Sequence, residues 1–259
     1  HAKGREAKKS LDAARGQVAG ALGCKPSELV FTSCGSEADN WAVIRGAEAL
    51  RRSGNHIISS VVEHDALRKS LDVLEKQGFQ MTRLAPEADG SISAGAVAAA
   101  LRPDTVLVSL MMVNNETGAV TDISAVSEVL KNAGSKAPLH TDAVQGFLKV
   151  PFSAKTLGAD MISISGHKIH APKGVGALYI REGLRLAPYI VGGGQEDGRR
   201  AGTESTPLIA AFGAAAEIGK SLFSESAARM AALREKTVAR LQAENPGIVF
   251  IGGGAPHIL

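Results

Sequence analysis

The sequence predicts an α/β fold in which helices sandwich a mostly parallel β-sheet. Short apolar runs alternate with helical patterns along most of the 259 residues, and polar residues recur directly after the apolar runs. The chain is 44% hydrophobic, which is enough to bury one large core. Because strands separated by helices are joined by crossover connections, such strands run parallel and are covered on both faces.

Seven apolar runs predict the strands, at residues 29–32, 56–60, 79–83, 105–110, 138–141, 161–165 and 175–180. Helical patterns predict the elements around them, at residues 2–22, 37–52, 65–77, 94–101, 123–132 and 153–157. A longer alanine-rich helical pattern covers residues 207–243, with a polar break at 221–225. In sheets of this kind, ligands bind where the carboxyl ends of the strands meet.

Two domains are predicted. Residues 1–205 form a large domain that binds a cofactor, and residues 206–259 form a connecting helix and the start of a small α+β domain. The chain opens at His1 without a signal or transit sequence, and a further apolar strand is predicted from Pro256. We therefore expect a fragment that is truncated at both ends.

Charge and cysteine content argue against several classes of function. The net charge of +3 is small and the basic residues are dispersed, so nucleic acid is not an expected partner. No apolar run approaches the ~20 residues that a membrane span needs. Cys24 and Cys34 indicate neither a disulfide framework nor a zinc site, and no metal is expected. A cytoplasmic protein fits this composition best.

The segment 32–37 predicts an anion-binding turn. It runs from a strand through Gly35 into a helix, which aims free backbone N–H groups and the positive end of the helix dipole at one point. The alternative is that Ser36 only caps the helix, because the acidic residues after it match a capping box. Ser165 and His167, at the end of another strand, add donors and favour a phosphate.

Lys168 and Asp142 predict the chemistry of a pyridoxal phosphate site. Lys168 follows a short apolar strand, and a lysine amine condenses with an aldehyde. Asp142 ends another apolar run and can keep the pyridine nitrogen of the cofactor protonated, which makes the ring an electron sink. Taken singly, Lys168 is more commonly a solvated surface lysine, and Asp142 is as readily the capping residue of a turn.

Three further polar residues are candidates for contacts with the ring. His64 can stack on its open face, or it can be a helix-terminal residue without a ligand. Gln145 can donate to the phenolic oxygen. Asn115 can reach the same oxygen or the substrate, although asparagine and glycine also favour an ordinary turn at this position.

The order of these motifs resembles the cysteine desulfurases, which are class V, fold type I pyridoxal phosphate enzymes of the NifS/IscS type. The resemblance covers nearly the whole chain. It depends on Thr32-Ser33-Cys34-Gly35-Ser36-Glu37, Val62-Glu63-His64, Asn114-Asn115-Glu116-Thr117-Gly118, His140-Thr141-Asp142-Ala143-Val144-Gln145, Ser165-Gly166-His167-Lys168, and Gly192-Gly193-Gly194-Gln195-Glu196 through Arg200-Ala201-Gly202-Thr203-Glu204.

The resemblance implies a role for each candidate residue. Lys168 would hold the cofactor covalently, Asp142 would pair with the pyridine nitrogen, and His64 would stack on the ring. Asn115 and Gln145 would contact the phenolic oxygen. The phosphate would be bound by four residues: Gly35, Ser36, Ser165 and His167.

The resemblance also implies partners. Thr203 would reach the phosphate of the neighbouring subunit in a homodimer. The substrate would be L-cysteine and the product L-alanine, with the sulfur passed as a persulfide to an enzyme cysteine and on to an acceptor or scaffold protein for iron–sulfur cluster or other thio-cofactor synthesis. That cysteine, like the family's substrate-carboxylate arginine, is expected downstream of residue 259, because neither Cys24 nor Cys34 matches its motif.

Other functions remain open on sequence alone. A selenocysteine lyase, or another class V aminotransferase or lyase, would share Lys168 and Asp142. A protein of a different class, a non-catalytic scaffold that holds pyridoxal phosphate, would fit a chain that lacks the sulfur-accepting cysteine.

Overall fold

A seven-stranded sheet forms the centre of the computed structural model, which describes residues 2–250. The strands are β1 (Leu29–Thr32), β2 (His56–Ser60), β3 (Gln80–Leu84), β4 (Thr105–Ser109), β5 (Leu139–Asp142), β6 (Met161–Ser165) and β7 (Gly176–Ile180). They lie in the order β1-β7-β6-β5-β4-β2-β3, and every neighbouring pair is parallel except the two that include β7. The predicted α/β class with a mostly parallel sheet is confirmed.

The reversed direction of β7 comes from its connection to β6. Only a 3₁₀ turn (Gly166–Ile169) and a short loop separate the two strands, and Ser165 pairs with Gly176 across them. A connection this short joins antiparallel neighbours, whereas parallel strands need a crossover of a dozen or more residues. The other six strands share one direction. Their carboxyl ends therefore lie at one edge of the sheet.

Helices cover both faces of the sheet. Those in the described range are α1 (Ala2–Leu22), α2 (Gly35–Ala49), α3 (Asp65–Lys76), α4 (Ala94–Ala100), α5 (Ile123–Asn132), α6 (Ala154–Leu157) and α7 (Thr206–Glu244). One face carries α2 and α3, and the other carries the remaining five. Several predicted elements have these bounds, and the ends of the others differ by at most three residues, which is close to the usual uncertainty at frayed ends.

Each face has its own apolar core. On one face α3 presents Leu67, Leu71 and Leu74 at helical spacing, and all three are fully buried. Burial of each such side chain stabilises the fold by about 1.5–3 kcal/mol. On the other face the rings of Phe31 and Phe212 meet edge to face at 6.3 Å between centroids. The sheet is thus held rigidly beneath the loops at its carboxyl edge.

The predicted polar break in the last helix was wrong. α7 is continuous from Thr206 to Glu244. Ser221 lies on an exposed stretch and its hydroxyl donates to the carbonyl of Ile218 at 2.8 Å, so polar side chains there do not interrupt the helix. The first part of α7 packs on α1 where Gly213 allows close approach, since a Cβ on Gly213 would lie 2.7 Å from Ala14 Cα.

The predicted boundary between residues 205 and 206 falls at the start of α7. The strand predicted from Pro256 lies outside the described residues. Within residues 2–250, none of the helices is both long enough and apolar enough to cross a lipid bilayer.

Candidate functional site

A cavity of about 460 Å³ opens at the carboxyl edge of the sheet. This volume lies in the usual range for small-molecule and cofactor sites. Nine of the ten residues singled out from the sequence line it: Gly35, Ser36, His64, Asn115, Asp142, Gln145, Ser165, His167 and Lys168. The tenth, Thr203, is exposed and borders a separate pocket with Glu196 and Arg200.

A larger cavity of about 950 Å³ lies at the opposite, amino edge of the sheet. It is bordered by Leu139 and Asp160, where β5 and β6 begin, and by surface lysines such as Lys131. The nine clustered residues are absent from its lining. Chemistry rather than size therefore identifies the carboxyl-edge cavity as the candidate site.

The first turn of α2 forms one wall of the candidate site. The helix begins at Gly35 with Cys34 at its N-cap, and the Cys34 side chain makes no capping hydrogen bond to the first turn. The interpretation of Ser36 as the cap was therefore wrong, because the chain enters the helix before it. Gly35 packs so closely that a Cβ there would lie 2.7 Å from Val144 Cγ2. The backbone can approach a ligand at this point, and the N–H groups of the first turn suit an anion.

Ser165 and His167 extend this polar wall from β6. The Ser165 hydroxyl and His167 Nδ1 are 2.9 Å apart. Partial burial lowers the pKa of His167, and the positive charges of Lys168, Lys173 and Lys149 lower it further. The same lysines give this side of the cavity a positive potential, which favours a phosphate group.

Asp142 forms the floor of the cavity, at the end of β5. It is buried, and Oδ1 accepts a hydrogen bond from Val144 N at 2.8 Å, so the turn predicted as an alternative is present as well. Burial raises the pKa of Asp142, while that hydrogen bond and the charges of His64 and Lys168 oppose the rise. A cation placed against this carboxyl group would stabilise its charged form.

Two more buried carboxyl groups, Asp39 and Glu63, lie beside Asp142. The sequence analysis did not single out Asp39 for the site, and it included Glu63 only within the segment Val62-Glu63-His64. Asp39, on α2, borders the cavity, and its Oδ1 has no hydrogen-bond partner in the described part of the chain. Burial and the charge of Asp142 raise the pKa of Asp39 well above its ordinary value. Glu63 is equally enclosed, and burial raises its pKa to about 8. Neither residue carries a clear local signal, because Glu63 precedes α3 and Asp39 resembles a solvated residue near the start of α2.

A buried histidine lies under these carboxyl groups. His140 Nδ1 is 2.9 Å from the Ser109 hydroxyl, and Nε2 is 3.0 Å from the Ser163 hydroxyl. Burial lowers the pKa of His140 to about 3, so the ring is neutral at physiological pH. Its Nε2 is 3.7 Å from Asp39 Oδ1. The floor of the cavity therefore rests on a neutral polar network.

His64 has two sets of contacts. It is the N-cap of α3, where Nδ1 accepts a hydrogen bond from Ala66 N at 3.1 Å, and its side chain also borders the cavity. His64 is thus a helix-terminal residue that also borders the cavity, and its contact with a ligand stays a prediction.

The amides of Gln145 and Asn115 already have protein partners. Gln145 Oε1 accepts a hydrogen bond from Lys149 Nζ at 2.9 Å, and Asn115 Nδ2 donates to Glu116 Oε1 at 2.7 Å. The Gln145 pairing fixes the carbonyl end of the side chain on Lys149. An amide fixed in this way presents its NH₂ group as a donor.

Lys168 lies in the 3₁₀ turn that follows β6, half-buried, with its side chain at the cavity wall. Gly166 precedes it in a position without room for a side chain, since a Cβ there would lie 2.9 Å from Val175 Cγ1. The turn is therefore tightly packed on β7. This packing places the lysine on the same side of the sheet as Asp142 and the first turn of α2.

Both cysteines are free. Cys24 borders the cavity at the amino edge, and burial raises its pKa to about 12, which leaves a poorly nucleophilic thiol. Cys34 is half-buried beside Gly35 and borders the candidate site.

Comparison with known proteins agrees with this geometry. The family profile described as Aminotransferase class-V matches residues 1–257. The chain is 48% identical over 236 residues to Cysteine desulfurase 2 of Trichormus variabilis, covering 91% of this chain and 58% of that protein. It is 43% identical over 259 residues to the cysteine desulfurase IscS of Anaeromyxobacter dehalogenans, covering 99% of this chain and 63% of that protein.

A solved structure described as a NifS-like protein has the same fold. It superposes with a TM-score of 0.92 at 38% identity, over 95% of this chain and 67% of the solved chain. Since 58% and 63% of the two curated relatives are covered, the chain spans about three fifths of their length.

Proposed function

This chain belongs to the class V aminotransferase family, and on that premise we propose that it forms the cofactor-binding part of a pyridoxal-phosphate-dependent cysteine desulfurase. The carrying observation is that Lys168, Asp142 and the first turn of α2 face one cavity. The names of the two curated relatives, both cysteine desulfurases, favour this activity over a selenocysteine lyase and over a scaffold without turnover.

The phosphate end of the cavity fits the proposed cofactor. The uncapped first turn of α2 offers backbone donors at Gly35 and Ser36, and Gly35 has no side chain between its backbone and the cavity. Ser165 and His167 would add side-chain donors from the next wall. Such a set of N–H and O–H donors at a helix N-terminus is suited to a phosphate dianion.

The part of the cavity around Asp142 fits the pyridine ring of the proposed cofactor. Asp142 would hold a proton on the pyridine nitrogen, because an ionised carboxyl group in a buried site stabilises a cation next to it. His64 would cover one face of the ring, and the amides of Gln145 and Asn115 would contact its phenolic oxygen. When bound, pyridoxal phosphate supplies an electron sink for chemistry at the α-carbon of an amino acid.

Lys168 would have two tasks. Its Nζ would hold the cofactor covalently until the amino group of the substrate takes its place. Once released, the same Nζ would take and return a proton at the substrate carbon, since Lys168 borders the same cavity as Asp142 and the first turn of α2. Asp39 and Glu63 would remain neutral because burial raises the pKa of both groups. Burial raises the pKa of Asp142 too, but the charges of His64 and Lys168 oppose that rise, so Asp142 would be the charged carboxylate of the floor.

The proposed partners follow from the family. L-cysteine would be the substrate and L-alanine the product, and the sulfur would pass to an acceptor for iron–sulfur cluster or other thio-cofactor synthesis in the cytoplasm. A homodimer would bring Thr203 to the phosphate of the neighbouring subunit. Its exposed position outside the cavity of its own chain supports a role toward a second copy.

The activity is tested on the full-length protein with added pyridoxal phosphate. L-cysteine and a thiol reductant should give L-alanine and sulfide in equal amounts, and Lys168→Ala should abolish both products. L-selenocysteine measured in parallel separates the lyase alternative. Cofactor uptake without L-alanine production from L-cysteine would contradict the proposed activity.

A further inference from the structure

A buried ion pair connects the anion-binding turn to a distant loop. Glu37, in the first turn of α2, accepts two hydrogen bonds from Arg200, with Nε to Oε1 at 2.8 Å and Nη2 to Oε2 at 3.0 Å. Glu37 Oε2 also accepts from the backbone N of Ser33 at 2.8 Å and from its hydroxyl at 2.5 Å. Both members of the pair are largely buried, with side-chain exposures of 8% and 16%.

Glu37 presents an electrostatic difficulty for the proposed phosphate site. It immediately follows Ser36, which borders the cavity. Burial would raise its pKa, but the hydrogen bonds from Arg200 and Ser33 outweigh burial and lower it, so the group is a carboxylate. A carboxylate in the first turn stabilises the helix, yet it repels any other anion at the same N-terminus.

Arg200 is placed to cancel that repulsion. Its hydrogen bond to Glu37 is the main reason that its pKa is raised, and Glu196 and Glu204 are the other acids that face it. Its planar guanidinium matches the carboxylate at two points, which a lysine ammonium does not reproduce.

The loop that carries Arg200 is fixed at a second point. The Glu196 carboxylate binds Arg15 at 2.6 and 2.8 Å and accepts from Phe31 N at 2.9 Å. Glu196 has φ +49°, a left-handed conformation that is strained in a non-glycine residue, and its three hydrogen bonds hold it there. The loop is thereby held in one conformation against β1.

We propose that Arg200 is a positioning residue for the cofactor phosphate, acting through Glu37: it neutralises the carboxylate that would otherwise oppose an anion at the N-terminus of α2. This inference rests on the proposed function. Charge cancellation by Arg200 and simple anchoring of the loop predict different results in one experiment. If charge cancellation is what matters, removal of Glu37 should remove the need for Arg200.

A double-mutant cycle tests the proposal, with pyridoxal phosphate affinity measured by titration of cofactor absorbance and thermal unfolding recorded in parallel. Arg200→Met should weaken cofactor binding roughly tenfold or more. Glu37→Gln should bind at least as well as the unchanged protein. The double variant Glu37→Gln/Arg200→Met should recover affinity to within about threefold of the unchanged protein. If Arg200→Met fails to fold, Arg200→Lys and the double variant are measured instead. Both should bind the cofactor, because lysine keeps the positive charge and the double variant lacks the carboxylate.

The possible outcomes distinguish failure of the role proposed for Arg200 from failure of the proposed function. Equal losses in Glu37→Gln, Arg200→Met and the double variant would indicate loop anchoring alone and overturn the inference. So would an Arg200→Met protein that binds cofactor normally. An unchanged protein that takes up no pyridoxal phosphate would overturn the proposed function, and the inference with it.

Discussion

Replacement of Glu63 by glutamine tests the electrostatics of the cavity floor. Glu63 is 6% exposed. Its Oε1 accepts from the Ser60 hydroxyl at 2.6 Å and from Met111 N at 3.1 Å, and its Oε2 has no partner among the described residues. Burial raises its pKa from 4.5 to about 8, hydrogen bonds from Ser60 and Met111 oppose the rise, and the charge of Asp142 adds to it.

The raised pKa fixes the direction of the pH effect. Below the unfolded-state pKa near 4.5, both states are protonated and the folded state keeps its full stability. As the pH rises toward 8, the unfolded state releases this proton while the folded state holds it, and stability falls. The full difference between 4.5 and 8 corresponds to ~5 kcal/mol, at about 1.36 kcal/mol per pH unit.

Glu63→Gln should remove this part of the pH dependence. The glutamine oxygen can accept from Ser60 and Met111, but its NH₂ group replaces an oxygen that has no partner among the described residues, which costs about 1–3 kcal/mol. The variant should therefore be less stable than the unchanged protein at pH 5 and more stable at pH 9. Urea unfolding of cofactor-free protein, followed by the fluorescence of the single tryptophan, Trp41, measures both values.

The matched control is the exposed Glu235→Gln on α7, whose stability should follow that of the unchanged protein at every pH. A constant difference between Glu63→Gln and the unchanged protein from pH 5 to 9 would refute the reasoning, because it would mean that Glu63 is ionised in the folded state throughout.

The remaining predictions concern the two ends of the cavity. Gly35→Ala should lower the free energy of unfolding in urea by about 1–3 kcal/mol and weaken cofactor binding, because its Cβ would meet Val144 Cγ2 at 2.7 Å. The control Gly95→Ala, on α4 with open space around it, should have neither effect. Normal cofactor affinity in Gly35→Ala would contradict the close approach inferred there. Asp142→Asn should retain pyridoxal phosphate but lower kcat for L-cysteine in the full-length enzyme by roughly 10²-fold, and an unchanged kcat would argue against its role at the pyridine nitrogen.

Much of the fold follows from local patterns. The bounds of β1, β2 and β6 coincide with the predicted runs 29–32, 56–60 and 161–165, because short apolar runs bounded by polar or glycine residues are typical of buried strands. The sequence also indicates the direction of β7, since the connection after β6 is too short for a parallel crossover. The continuity of α7 was less evident, because exposed polar residues are compatible with both a helix and a break.

The candidate site was predictable where it follows strand ends. Asp142 is the last residue of β5 and Lys168 lies three residues after β6, and parallel strands bring such positions to one edge. The pairing of Glu37 with Arg200 was not predictable, because 163 residues separate them and no local spacing relates them. Asp39 was missed for a different reason. On sequence it resembles an ordinary solvated residue near a helix start, and only the packing of α2 on the sheet shows it to be buried.

Covalent labelling of Lys168 tests the central claim most directly. The protein is incubated with pyridoxal phosphate, reduced with borohydride, digested and mapped by mass spectrometry, with Lys168→Arg as the control. The account predicts a phosphopyridoxyl group on Lys168 at one equivalent per chain and its loss in the control. Modification of surface lysines at equal levels in both proteins, with Lys168 unmodified, would contradict it.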